Sequence, residues 1–129
     1  MLVKKLAECR SFIAGDGSLL KEILHPLKQS LEVRYSLAHA ILNPKQKTYP
    51  HILEHAEVYY ILTGHGRIHI DNEAREVNRD DTIYIPPGRV QFIENTAGEN
   101  LEFLCIVDPA WKPEIERIVP GDQDTGIRD

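Results

Sequence analysis

Glu57-Val58-Tyr59-Tyr60-Ile61-Leu62-Thr63-Gly64-His65-Gly66-Arg67-Ile68-His69-Ile70 is the longest run of strand-favouring residues in the chain. β-branched and aromatic side chains fill it, and its apolar positions follow a period near two rather than the helical 3.6. The glycines at 64 and 66 predict a bend or bulge where a sheet curves. Asp71-Asn72-Glu73 reads as a hairpin turn into Ala74-Arg75-Glu76-Val77.

The same pattern extends in both directions. Downstream, Asn78-Arg79-Asp80-Asp81 is a polar turn, and Thr82 to Ile85 is a short strand stopped by Pro86-Pro87-Gly88, where neither proline can donate a ladder bond. Gln91-Phe92-Ile93-Glu94 follows, closed by turn residues from Asn95 to Asn100. Leu101 to Val107 is almost continuously apolar and predicts a central strand. Upstream, Val33 to Leu42 alternates well enough for a strand with one apolar face. Gly17 to Leu24 fits a helix after a Ser18 cap or an alternating strand, and the strand agrees with its surroundings. Short strands separated by Gly, Pro and Asn turns define an all-β sandwich or barrel.

A chain of 129 residues, 42% hydrophobic and 27% charged, suits one globular domain. The expected organisation is a barrel core at 33–108, an N-terminal strand arm at 1–30 and a tail at 109–129. Trp111 in that tail is expected to pack back on the barrel, and the end to fray from Gly121 onward. A formal net charge of −5 argues against nucleic acid, which needs a concentrated cationic surface. No segment approaches ~20 apolar residues, so no membrane span is expected, and the default location is cytoplasmic. Cys9 and Cys105 are too few and too far apart for a disulfide framework and read as buried small hydrophobes.

The chemistry concentrates in His51-Ile52-Leu53-Glu54-His55-Ala56-Glu57, followed by Gly64, and in Asp80 to Asn95. Together these resemble the two motifs of the cupin superfamily. That family's first motif carries two histidines, a glutamate and a glycine; its second carries a glycine, a Pro-x-Gly, a histidine and an asparagine. Here His51, Glu57 and Gly64 match the first, and Pro86, Gly88 and Asn95 match the second. Three positions depart: Leu53 and Gln91 stand where histidines are expected, and Asp80 replaces the leading glycine. The chain is also similar to a subgroup of small bacterial and archaeal cupins through Ala14 to Gly17, Arg34 to Ala38, Glu57 to Leu62, and Val90, Gln91 and Asn95. The resemblance implies a double-stranded β-helix, or jelly-roll barrel, with a metal site at its mouth, and a homodimer. Open sheet edges that need covering also favour a dimer, with Val3 to Ile13 available to add a strand across the interface.

The residues can also be weighed for themselves. If one strand runs through the first motif, period two puts 51, 53, 55 and 57 on one side, so His55 projects with Glu57. The candidate ligands of a divalent ion are then His51, Glu57, Gln91 and His55. Imidazole suits Zn, Fe and Ni, while carboxylate and amide oxygens suit harder ions such as Mn. A Gln carbonyl is a weak neutral donor that leaves a position open to water or a substrate oxygen. Each residue has a plainer alternative: His51 exposed in a loop, Glu57 in a salt bridge, Gln91 lining a cavity, and His55 on the surface. The candidate pocket residues are His39, Tyr59, Ile61 and Leu53. His39 reads equally as a satisfied core histidine, Tyr59 as barrel filling and Leu53 as packing. His65 and His69 read as solvent-side. The expected function is binding of a divalent metal ion and a small organic ligand, with dioxygenase, decarboxylase or isomerase chemistry among the possibilities. The alternatives are a metal-free module for a sugar or organic acid, and an interaction or storage-type protein.

Overall fold

The computed structural model describes residues 1–120. The frayed end anticipated from Gly121 onward lies outside them. Eleven strands follow in order: β1 (Ser11–Ile13), β2 (Leu19–Leu24), β3 (Ser36–Leu42), β4 (His51–Leu53), β5 (Ala56–Thr63), β6 (His65–Ile70), β7 (Glu73–Asn78), β8 (Thr82–Ile85), β9 (Val90–Asn95), β10 (Leu101–Asp108) and β11 (Glu116–Ile118). They form two sheets, β1-β2-β3-β10-β5-β8 and β11-β4-β9-β6-β7. The pairings are antiparallel, and β10 lies between β3 and β5, so the Leu101 to Val107 run is central as its unbroken apolar character predicts. Gly17 to Leu24 resolves as a strand. The fold is the all-β barrel expected.

The glycine bend has a physical cause. β5 belongs to the first sheet and β6 to the second, and the chain crosses between them at Gly64. Its φ is +99°, and a Cβ there would stand 2.6 Å from the Asn100 carbonyl oxygen. Only glycine fits that backbone without strain. Asp71, with φ +52°, then turns β6 into β7, while its backbone N–H donates to the Val90 carbonyl.

Strand alternation divides the interior into two halves. Leu42, Ile61, Ile93 and Leu101 fill one end and are almost wholly buried. Each such side chain contributes about 1.5–3 kcal/mol of burial. The other end is polar, with His51, Glu57, Tyr59 and Gln91. Asn95 ties the apolar end shut: its amide donates to the carbonyls of Leu42, Asn43 and Glu99, and its Oδ1 accepts from Ala97 N–H. The motif asparagine is therefore a structural clamp.

Both termini contribute. Only Ser11–Ile13 of the Val3 to Ile13 arm is a strand, and it pairs with β2 of the same chain. Trp111 packs with Leu53, Val107 and Ile115, and its backbone N–H donates to Ser36 Oγ. Cys105 is buried as expected, but Cys9 is only half-buried; both are free. Among the described residues no helix is long and apolar enough to cross a membrane.

Candidate functional site

A cavity of about 250 Å³ opens at the polar end of the barrel. A groove of about 340 Å³ runs between β7 and β8, but its charged lining residues, Glu73, Arg75, Glu76 and Asp81, are all exposed. A pocket on which buried polar side chains converge marks a binding site better than an exposed groove, so the barrel-end cavity is the candidate.

Its polar wall comes from separate parts of the chain. His51 on β4 and Glu57 on β5 both line it, only 2% and 6% exposed. His51 is therefore not a loop histidine. Its ring is fixed by Nδ1, which donates to the Tyr49 carbonyl at 2.7 Å. In the neutral ring that bond leaves Nε2 as a bare acceptor, and Nε2 faces Asp16 Oδ2 at 3.9 Å. Gln91 on β9 is the cross-strand partner of His51 but is not part of the cavity lining. It lies buried against Tyr59, whose hydroxyl donates to Gln91 Oε1 at 3.2 Å.

Glu57 carries the electrostatic tension. Its Oε1 is buried and has no hydrogen-bond partner. Burial, then the neighbouring Asp16, push its carboxyl well above the usual range, while hydrogen bonding by Gln91 and, more weakly, by Tyr59 opposes the shift. Burial and then Glu57 likewise push up the Tyr59 phenol and the Cys105 thiol, which faces Tyr59 from β10. Glu116 is also raised, chiefly by burial, with nearby His51 drawing it down. Its Oε1 accepts the Trp111 indole N–H at 3.1 Å.

The other candidates are dispersed. The first motif is not one strand: β4 ends at Leu53, the chain bends at Glu54 and His55, and β5 starts at Ala56. Parity is lost at that bend, and the His55 ring bonds the Pro109 carbonyl at 2.6 Å, away from the cavity lining. His39 alternates with Ala38, Ala40 and Leu42, which face the interior, so its ring turns to the opposite face and meets Glu102 at 3.1 Å. Ile61 points inward but sits in the apolar half, while Leu53 and Tyr59 line the cavity. His65 and His69 pair on the surface side with Glu76 and Glu94.

Sequence reasoning missed Asp16, Cys105, Glu116 and Phe12 as lining residues. Asp16 sits in a turn shaped by Gly17, whose φ of +93° allows its N–H to reach the Ala14 carbonyl. Asp16 Oδ1 takes both the N–H and the hydroxyl of Ser18, leaving Oδ2 toward His51. The only signal for Asp16 was the Ala14 to Gly17 stretch; nothing local singled out Glu116.

Two antiparallel sheets rolled around a polar-ended interior define a jelly-roll protein with a cavity at the barrel end. The chain belongs to the cupin family: the cupin domain model matches residues 38–107. It is 41% identical over 113 residues to the uncharacterized protein MJ1618 of Methanocaldococcus jannaschii, covering 85% of this chain and 88% of that one. It is 35% identical to the oxalate-binding protein of Thermotoga maritima over 51 residues, 40% of this chain. The crystal structure of a predicted oxalate decarboxylase from Thermotoga maritima superposes with a TM-score of 0.74 at 23% identity, over 84% of this chain and 99% of that one. The polyketide cyclase RemF from Streptomyces resistomycificus gives 0.77 at 19% identity, over 92% and 85%. These last two likenesses concern the fold alone.

Proposed function

We propose that this cupin binds a small organic molecule in the barrel-end cavity, with Glu57 as the principal recognition group beside His51, Asp16 and Tyr59. The observation that carries this is Glu57 Oε1, buried on the cavity wall without a partner. An unsatisfied buried polar group costs about 1–3 kcal/mol, which a donor on a ligand recovers.

The motif resemblance implies a divalent ion, and the donors meet that requirement only in part. His51 has the ligand-ready tautomer, and Glu57 has an open oxygen. Gln91 is neutral with its carbonyl already engaged by Tyr59, Leu53 is apolar, and His55 is directed to Pro109. Among the described residues no three His, Cys, Asp or Glu side chains are gathered closely enough to hold an ion. The residues do not fit a tightly held resident metal, and the metal-free reading is preferred. A second reading, a Zn, Fe, Mn or Ni ion held by His51 and Glu57 with water completing its shell, draws support from the His51 tautomer. Such an ion would supply a Lewis-acidic point for a substrate oxygen.

Mass-spectrometric metal analysis of the purified protein, with His51→Ala and Glu57→Ala, tests the choice. The expected result is near-zero metal in all three. One bound ion per chain, lost in both variants, overturns it.

A homodimer in the cytoplasm completes the proposal. Exposed Leu2 and Val3 precede β1, an edge strand of its sheet that itself exposes Phe12 and Ile13, and the free cysteines suit a reducing compartment.

A further inference from the structure

The polar atoms that face the barrel-end cavity are nearly all acceptors. Asp16, Glu22, Glu57 and Glu116 put four carboxyl groups on its wall, of which Glu22 is paired with Lys28. Three of the stronger donors nearby are already used, and what remains on the lining is the Ser36 hydroxyl, which accepts from Trp111, and the weak Cys105 thiol. The Tyr59 hydroxyl goes to Gln91, the Trp111 N–H to Glu116, and the Lys28 ammonium, exposed at the rim, to Glu22 at 2.6 Å. His51 spends its Nδ1–H on Tyr49 and turns Nε2 toward Asp16. Independently of the acidic cluster at Asp16 and Glu116, the Glu57 side chain is more than nine-tenths buried and lacks a partner at Oε1.

The opposite requirement comes from the apolar wall, where Phe12 and Trp111 face the same space. Aromatic faces attract cations as well as carbon chains. The acids are too dispersed for one ion to bridge three of them, yet they surround a cavity of about 250 Å³, room for a molecule of several atoms. A dicarboxylate would bring further negative charge and further acceptors up against Asp16, Glu57 and Glu116.

We infer that the ligand is a small organic cation, an alkyl amine or guanidine whose N–H groups are received by Asp16, Glu57 and Glu116 while its carbon chain lies against Trp111 and Phe12. This rests on the proposed small-ligand function and names the ligand class.

Titration calorimetry and thermal shift on the full chain, in buffer containing EDTA, test it with putrescine and agmatine against butanediol and succinate. Saturable binding of at least one amine is expected, with a raised Tm and with neither control matching it. Asp16→Asn and Glu116→Gln should each weaken that binding about tenfold or more. Asp16→Asn also disturbs the Ser18 turn, so Glu116→Gln, which keeps an acceptor for Trp111, is the cleaner variant. No amine binding at millimolar concentration, butanediol binding as tightly, or an unaffected Glu116→Gln overturns the inference. Butanediol or succinate binding that Glu57→Gln alters would leave the small-ligand function standing. Failure of all four probes and of a broad neutral and anionic panel would end both.

Discussion

The Tyr59 hydroxyl on β5 donates to Gln91 Oε1 on β9 at 3.2 Å, joining the two sheets across the barrel interior. Both residues are nearly inaccessible, at 2% and 1% exposure, so water does not compete for this bond. Gln91 is thus a strut beneath the cavity, and Glu57 rests against it.

Tyr59→Phe leaves the Gln91 carbonyl without its donor. A loss of about 1–3 kcal/mol is expected, read from urea unfolding with an unchanged m-value. No loss would mean that the strut carries nothing.

Glu57→Gln should stabilise the protein at neutral and mildly alkaline pH. The carboxyl is raised by burial first and by Asp16 second, so the folded state holds its proton more tightly than the unfolded one. Stability therefore falls as pH rises from the ordinary value of 4.5 through the raised folded value. The variant should remove this fall, gaining about 1 kcal/mol or more at the upper end. Unfolding free energies at a series of pH values check it. A variant with the same pH slope as the parent would contradict it.

Gly64→Ala is expected to cost at least ~2 kcal/mol, because the new Cβ meets the Asn100 carbonyl at a left-handed φ. Denaturant midpoints measure this. A neutral result would mean that the crossing between sheets bends differently.

Much of the fold was legible because strand period and turn chemistry are local properties. Gly64, Asp71 and the Pro86-Pro87-Gly88 stop each announced a feature that the backbone has. His51 and Glu57 were legible through motif spacing. Other parts depended on facts with no local trace. His39 shares its strand with Ala38 and Ala40, and apolar residues on both faces hide which one points inward. His55 was misplaced by assuming one strand where the chain bends at Glu54 and His55. Asp16 and Glu116 reach the cavity from the β1–β2 turn and from β11, and only tertiary assembly brings those segments together.

The motif departures supply a gain-of-function prediction. Leu53 lines the cavity and Gln91 is the strand partner of His51. Leu53→His combined with Gln91→His should place three imidazoles with Glu57 and create stoichiometric binding of Zn or Mn. Metal titration followed by calorimetry reads it. A double variant that stays folded yet binds no metal would show that side-chain identity is not what limits the site.

The most direct measurement is an NMR titration of the Glu57 side-chain carboxyl carbon in the metal-free, ligand-free protein. It should titrate well above the ordinary glutamate range, raised by burial with Oε1 unpartnered. A Glu57 that titrates at or below that range would mean the carboxylate is already satisfied, and would contradict the cavity described.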